Sequence, residues 1–208
     1  MSNIKDLNSI SGVILAGGQA RRLGGGDKGL RELAGRPLLL HVIARLRPQV
    51  AGLVLNANGD PARFGSFNLP VVGDSVAGQP GPLAGILSGL DWAAAQSPAP
   101  SWVVTAPADC PFLPRDLVAR LAAGVTAGAT AVVASYQGRL QPVIGLWSTS
   151  LREDLRRALL ADGLRRVEDW LHRCNAIAIE FPLAAPDPFF NVNTAEDLAR
   201  AADLLTAG

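Results

Sequence analysis

Cysteine, lysine and histidine are scarce in this chain of 208 residues, with two of each: Cys110 and Cys174, Lys5 and Lys28, His41 and His172. Two cysteines cannot build a disulfide framework, so nothing argues for secretion. His172 and Cys174 have no partner cluster that would complete a metal site, and His41 falls inside an amphipathic helical pattern. Charge is also sparse. Charged residues reach 18%, and 19 basic against 18 acidic side chains leave a net +1. Without a general basic field, a nucleic-acid or anionic-membrane partner has no electrostatic support. The longest uncharged run, 121–138, reaches the lower edge of membrane-spanning length. It contains Gly124, Thr126, Gly128, Thr130, Ser135 and Gln137, which suits a helix end followed by a strand better than a span. Asp6 interrupts a polar leader, and no apolar signal core follows, so a cytoplasmic location is the expectation.

Apolar material is plentiful. Hydrophobic residues make up 49% without the 22 glycines, ample for a core and too much for a disordered chain. At about 150 residues per domain, 1–208 reads as a single domain, with no internal repeat and no long linker. Short β-branched runs alternate with helical patterns. Gly12–Leu15 reads as a buried strand running into a glycine-rich stretch. Pro37 opens a helix with apolar positions Leu39, Val42, Ile43 and Leu46, and Pro48 stops it. Leu53–Leu55 and Leu69–Val72 read as strands, then a helix from Pro82, a strand over Trp102–Thr105 and a helix over Leu113–Ala123. Beta–alpha alternation of this kind predicts a three-layer, Rossmann-like α/β fold with a mostly parallel sheet.

The last third breaks the rhythm. Ala131–Ala134 and Pro142–Trp147 flank a Gln137-Gly138-Arg139 turn, predicting a small antiparallel insertion beside the sheet. Helical stretches near Leu151–Leu160 and Val167–Cys174 follow, then a strand over Ala176–Phe181. Phe189–Asn193 reads as a last short strand, and Thr194 as the cap of a terminal helix with Glu196 and Asp197 in its first turn.

Ligands of parallel α/β sheets sit at the carboxyl ends of the strands. The unusual residues of this chain fall there. Leu15-Ala16-Gly17-Gly18 follows the first strand, and Arg21-Arg22-Leu23-Gly24-Gly25-Gly26-Asp27-Lys28 comes next. Asn56 follows the second strand, Asp74 the third and Asp109 the fourth. Glycines let backbone amides approach an anion, and Arg22 and Lys28 add charge suited to a polyphosphate. Lys28 stands out in a chain with 17 arginines. Gly24-x-Gly26-x-x-Gly29 matches a dinucleotide fingerprint, but it lies about ten residues past the strand rather than on its turn. A P-loop fails because Asp27 precedes Lys28 and no Ser or Thr follows.

The longer pattern Leu15-Ala16-Gly17-Gly18-x-x-x-Arg22-Leu23-Gly24-Gly25-x-Asp27-Lys28 resembles the opening of the molybdenum cofactor guanylyltransferases. Asn56-Ala57-Asn58, Gly81-Pro82-Leu83-Ala84-Gly85, Pro107-Ala108-Asp109-Cys110-Pro111, Gln141-Pro142-Val143, Arg165-Arg166-Val167 and Asn191-Val192-Asn193-Thr194 match in the same order. Together they cover about residues 12 to 200. Leu23 replaces a common methionine and Ala195 a usual proline. The proline would only preorganise a helical turn.

The resemblance implies transfer of GMP from GTP to the terminal phosphate of molybdopterin, with release of pyrophosphate. The N-terminal half would bind GTP through Leu15, Ala16, Gly17, Gly18, Lys28, Asn56, Asp74 and Asp109, and the C-terminal third would face molybdopterin. Asp109 would hold Mg²⁺, with Arg22 and Lys28 as its catalytic companions, while Asn191, Asn193, Arg165 and Arg166 would serve the pterin phosphate. Such a reaction needs no general base, because a phosphomonoester oxygen is already anionic at neutral pH. Guanine's N1–H and N2–H₂ donors suit acceptance by Asp74 or Asn56. Rival readings are a CTP-using molybdopterin cytidylyltransferase and a GTP-binding adaptor that delivers the cofactor without catalysis. Molybdoenzyme chaperones or other cofactor-synthesis proteins are the further partners such an activity implies. With no exposed heptad or extended apolar face, a monomer is expected.

Overall fold

The computed structural model describes residues 9–17, 26–78 and 81–206. Strand β1 (Ile10–Leu15) is followed by two-residue strands β2 (Glu32–Leu33) and β3 (Arg36–Pro37), which pair as a small antiparallel ribbon. Then come α1 (Leu38–Leu46), β4 (Gly52–Asn56), β5 (Val71–Val72), α2 (Pro82–Ala94), β6 (Trp102–Pro107) and α3 (Leu117–Ala123). The remainder is β7 (Ala131–Tyr136), β8 (Arg139–Ser148), α4 (Arg152–Leu160), α5 (Val167–Arg173), β9 (Ile177–Phe181) and α6 (Ala195–Thr206).

Seven of the described strands form one sheet in the order β5-β4-β1-β6-β8-β7-β9. All neighbouring pairs are parallel except those made by β8, which runs against both β6 and β7. The expected antiparallel pair therefore forms, but within the sheet rather than beside it. The turn at Gln137-Gly138 places both residues at positive φ and folds β8 back against β7, while the far part of β8 also pairs with the edge of β6.

Side chains alternate across the strands and give three layers. Ile10, Ile14, Leu55, Val104 and Ala106 pack under α1 and α3. Val13, Val54, Val103 and Val133 face the other way, against α2, α4 and α5. Helix α2 comes very close to the sheet. A Cβ at Gly89 would stand 2.5 Å from Val13, so only glycine fits. A third cluster of Leu33, Leu38, Phe112, Val192 and Ala201 seats α6 against the small ribbon. No helix among the described residues is long and apolar enough to cross a membrane.

Several expected elements differ: β5 is cut to Val71–Val72, and β8 begins at Arg139, inside the expected turn. The α3 helix starts at Leu117 rather than Leu113, because the chain turns first at Pro114, whose carbonyl accepts the Leu117 N–H. Phe189–Asn193 is not a strand. Phe189 packs edge-on to Tyr136 and Phe181, Phe190 meets Phe112, and among the described residues this segment's backbone bond to the sheet end is Val192 N–H to the Asp109 carbonyl, at 3.0 Å. The terminal helix is capped as expected. Thr194 Oγ1 accepts the Asp197 N–H at 3.1 Å, while Asp197 Oδ2 accepts the N–H groups of Asn193 and Thr194.

Candidate active site

The register aligns three strand ends. Leu15 stands opposite Asn56 on β4 and opposite Pro107 on β6. From β1 the chain builds outward to β4 and β5 and then crosses to β6 on the other side, so strand order reverses at β1–β6. Here a cleft of about 320 Å³ opens, lined by Leu15–Gly17, Lys28, Asn56, Asn58, Asp74, Asp109, Val143 and their neighbours. Among the described residues, a Cβ on Gly17 would touch nothing, so the backbone is bare toward the cleft.

On one wall stand Lys28 and Asp109. Residues Lys28–Leu30 form a single 3-10 turn, not the helix start a dinucleotide fingerprint needs. Gly29 lets that turn lie against the β6 end, since a Cβ there would stand 3.3 Å from Ala108 and 3.4 Å from Leu39. Lys28 Nζ donates to Asp109 Oδ2 at 3.1 Å and to Asn193 Oδ1 at 2.5 Å. The second carboxylate oxygen, Asp109 Oδ1, is buried without a partner among the described residues. An unsatisfied buried oxygen of this kind fits a hard cation. The described residues hold no cluster of three metal-ligating side chains. One carboxylate is nonetheless enough for Mg²⁺, which keeps waters and takes phosphate oxygens.

The opposite wall is a closed ring of amides around one carboxylate. Asn56 Nδ2 donates to Asp74 Oδ1 at 3.1 Å, and Asn58 Nδ2 to Asp74 Oδ2 at 2.7 Å. Asn58 Oδ1 accepts the Asp74 N–H at 2.8 Å. Asn56 and Asn58 point the same way because Ala57, one step between them, is buried toward the core. Helix α2 closes this wall from below. Gly81 takes φ +129, Pro82 opens the helix, and Gly85 leaves no room for a side chain beside Asn56 Oδ1 and Leu15. That accounts physically for the Gly81–Gly85 segment.

The Gln141-Pro142-Val143 segment lies at an irregularity of β8. Pairing with β7 jumps from Gly145–Val133 to Gln141–Ala134, so residues 142–144 bulge, and Pro142 sits where no ladder donor is needed. The bulge brings Val143 to the cleft. Its carbonyl accepts from Thr105 Oγ1 at 2.8 Å, and that hydroxyl in turn accepts from Trp147 Nε1 at 2.9 Å.

Of the sequence-derived site residues, Leu15, Ala16, Gly17, Lys28, Asn56, Asp74 and Asp109 line the cleft together, and Asn193 joins them through Lys28. Asn191 turns elsewhere, with Oδ1 accepting from the Cys110 thiol at 3.1 Å. Burial and the neighbouring Asp109 carboxylate push the Cys110 thiol well above its usual range, which keeps it a donor. Arg165 and Arg166 are not on the cleft lining. Arg165 donates to the carbonyls of Leu159 and Leu164, closing the end of α4, and Arg166 stands exposed beside Glu168. Gly18 and Arg22 lie outside the described residues. Asn58 and Val143 are additions that site-by-site reading left out, although both sit inside motifs already singled out. His41 is structural, its Nε2 lying 3.0 Å from the Leu33 carbonyl.

The family model of the MobA-like NTP transferase domain matches residues 12–174. A molybdenum cofactor guanylyltransferase of Rhodopseudomonas palustris (strain BisB5) is 58% identical over 190 residues, covering 91% of this chain and 90% of the relative. One of Bradyrhizobium sp. (strain ORS 278) is 56% identical over 194 residues, covering 93% and 92%. Among solved structures, molybdopterin-guanine dinucleotide biosynthesis protein A from Archaeoglobus fulgidus superposes with a TM-score of 0.76 at 25% identity, covering 95% of this chain and 100% of that one. This chain is therefore a nucleotidyltransferase of the MobA-like family and belongs to its molybdenum cofactor guanylyltransferases.

Proposed function

We propose that the chain transfers GMP from GTP to the terminal phosphate of molybdopterin. A phosphate oxygen of the acceptor attacks the α-phosphorus, a new P–O bond forms, and the bond from the α-phosphorus to the bridging oxygen breaks. Pyrophosphate leaves with the electron pair. No proton has to be moved, which suits a cleft whose charged members among the described residues are Lys28, Asp74 and Asp109. The chain's own contribution is alignment and charge. Lys28 stands where it neutralises negative charge on the triphosphate, held in place by Asp109 and Asn193. Asp109 would hold Mg²⁺ through its unpartnered oxygen, and the bound ion would supply Lewis-acid charge to phosphate oxygens.

The observation that carries the guanine reading is the Asp74 ring. A carboxylate offers four lone-pair sites, and the two asparagine amides take one on each oxygen. Among the described residues each oxygen keeps a free site, the pattern that accepts guanine's adjacent N1–H and N2–H₂. Cytosine presents an acceptor at N3, which a carboxylate repels.

Pyrophosphate release with molybdopterin and Mg²⁺, offering GTP, CTP, ATP and UTP separately, tests this. Release with GTP alone, and loss of that preference in Asp74→Ala, is the expected result. Release with CTP would overturn the base-recognition argument. GTP binding without pyrophosphate release from any nucleotide would leave a delivery adaptor instead.

A further inference from the structure

Arg63 lies outside every motif singled out in the sequence and does not line the cleft, yet it is tied to both of the cleft's walls. Its Nε donates to Asp27 Oδ2 at 2.6 Å, and its Nη2 to the Asn58 carbonyl at 2.5 Å. Nη1 donates to the Asp60 carbonyl, and the guanidinium carbon stands 4.5 Å from the centre of the Phe64 ring. Asp27 immediately precedes Lys28. Asn58 is the residue whose side chain grips Asp74.

The local structure is built to present this side chain. Residues Pro61–Phe67 form a 3-10 helix whose first turn is capped by Asp60 Oδ1 accepting the Ala62 N–H at 2.9 Å. Phe64, 1% exposed, anchors that helix in the core under α1. Gly59 takes φ +85, and a Cβ there would approach Arg63 Nη1 to 3.4 Å, so the loop yields space to the guanidinium. A planar fork with several donors reaches a carboxylate and two carbonyls at once; an ammonium is a point charge and cannot.

We infer that Arg63 is a positioning residue that fixes the separation between the phosphate wall, through Asp27 and Lys28, and the nucleoside wall, through Asn58 and Asp74. The inference rests on the GTP reading of the cleft. A triphosphate nucleotide spans both walls, so their separation determines whether phosphate and base are engaged together. Removing the fork lets the walls drift independently, and nucleotide binding and base preference weaken together. Loss of folded protein alone would lower the active fraction, and hence kcat, without moving KM or base preference.

The test compares the full chain with Arg63→Ala, Arg63→Lys, Asp27→Asn and the Arg63→Ala/Asp27→Asn double variant. GTP and CTP dissociation constants come from calorimetry, alongside KM and kcat for pyrophosphate release. The expected result is a roughly tenfold or greater weakening of GTP binding in Arg63→Ala, from loss of a charge-assisted bond, with a matching rise in KM. The GTP-over-CTP ratio falls as well. Arg63→Lys recovers part of the affinity through Asp27 but not the ratio, and the double variant is about as impaired as Arg63→Ala alone. Unchanged affinity and ratio in Arg63→Ala and Arg63→Lys would overturn the inference, as would strictly additive losses with Asp27→Asn. Should Arg63→Ala fail to fold, Arg63→Lys and Asp27→Asn carry the comparison. Wild-type chain that binds GTP but transfers nothing removes the transfer reading and leaves the Arg63 comparison intact, because that is read from binding.

Discussion

The Lys28 amine lies 3.1 Å from Asp109 Oδ2, across 81 positions of sequence, and the two side chains are 20% and 15% exposed. The pair joins the exit of the glycine-rich stretch to the end of β6, and Asn193 completes it from the segment before α6. A cation and an anion held this close screen one another. A triphosphate entering the cleft meets an amine already placed beside the carboxylate that would hold the metal.

Lys28→Ala and Asp109→Ala should each lower kcat for pyrophosphate release by about 10²–10³, the usual consequence of removing one preorganised charge from a transition state. Lys28→Arg should not restore the rate, because a planar fork does not fit a site shaped around a point charge between two oxygens. Initial-rate measurements with GTP, molybdopterin and titrated Mg²⁺ check this. An Asp109→Ala variant rescued fully by more Mg²⁺ would remove the metal role from that carboxylate.

Gly85→Ala should destabilise the chain by about 1–3 kcal/mol, because its methyl group would collide with Asn56 Oδ1 and lie 2.7 Å from Leu15. The same substitution at Gly65, where a Cβ meets nothing within 4 Å, should stay within about 0.5 kcal/mol. Chemical denaturation compares them. Because Asn56 must move to make room, Gly85→Ala should also weaken GTP binding, whereas a purely global loss of stability would not.

Cys110 predicts an alkaline limit. Its thiol is held well above 9.0 in the folded chain, chiefly by burial. Below 9.0 both folded and unfolded thiols keep the proton and stability is unaffected. Above it the unfolded thiol ionises while the folded one does not, so stability falls as pH rises toward the folded value. Cys174, pushed up to about 11, adds to the same trend. Denaturation midpoints measured from pH 7 upward should decline from about 9, and a Cys110→Ala variant should show a shallower decline. Thiol reagents at neutral pH should label neither cysteine quickly in the native chain.

Local signals were legible in the sequence, and distant ones were not. Helix α1 is bracketed by Pro37 and Pro48, and the α6 cap by Thr194 and Asp197, so both follow from a few neighbouring residues. The cleft residues Lys28, Asn56, Asp74 and Asp109 were readable as polar groups at apolar strand ends. Phe189–Asn193 looks like a strand because it is a short run rich in aromatic and β-branched residues, but Phe189 and Phe190 pack against three separate aromatic partners and Val192 against Leu33 and Leu38. Arg165 has the composition of a phosphate ligand, yet its guanidinium is taken by carbonyls at the end of α4, a choice that only the folded turn reveals. Asn58 and Val143 depend on which way a loop and a bulge point, and Arg63 on a pairing across 36 positions.

The place of β8 in the sheet has a consequence for synthesis. β1, β4, β5 and β6 can pair in parallel as soon as residue 107 has emerged, but the outer edge of β6 is closed only by residues 145–148. In the interval a growing chain exposes Val103 and Val104 on an unpaired strand edge, the kind of template that neighbouring nascent chains can join. A pause in translation after residue 107 has emerged from the ribosome and before residues 145–148 have done so would prolong that exposure. Slow translation there should send the product toward aggregates even though the finished fold is unchanged.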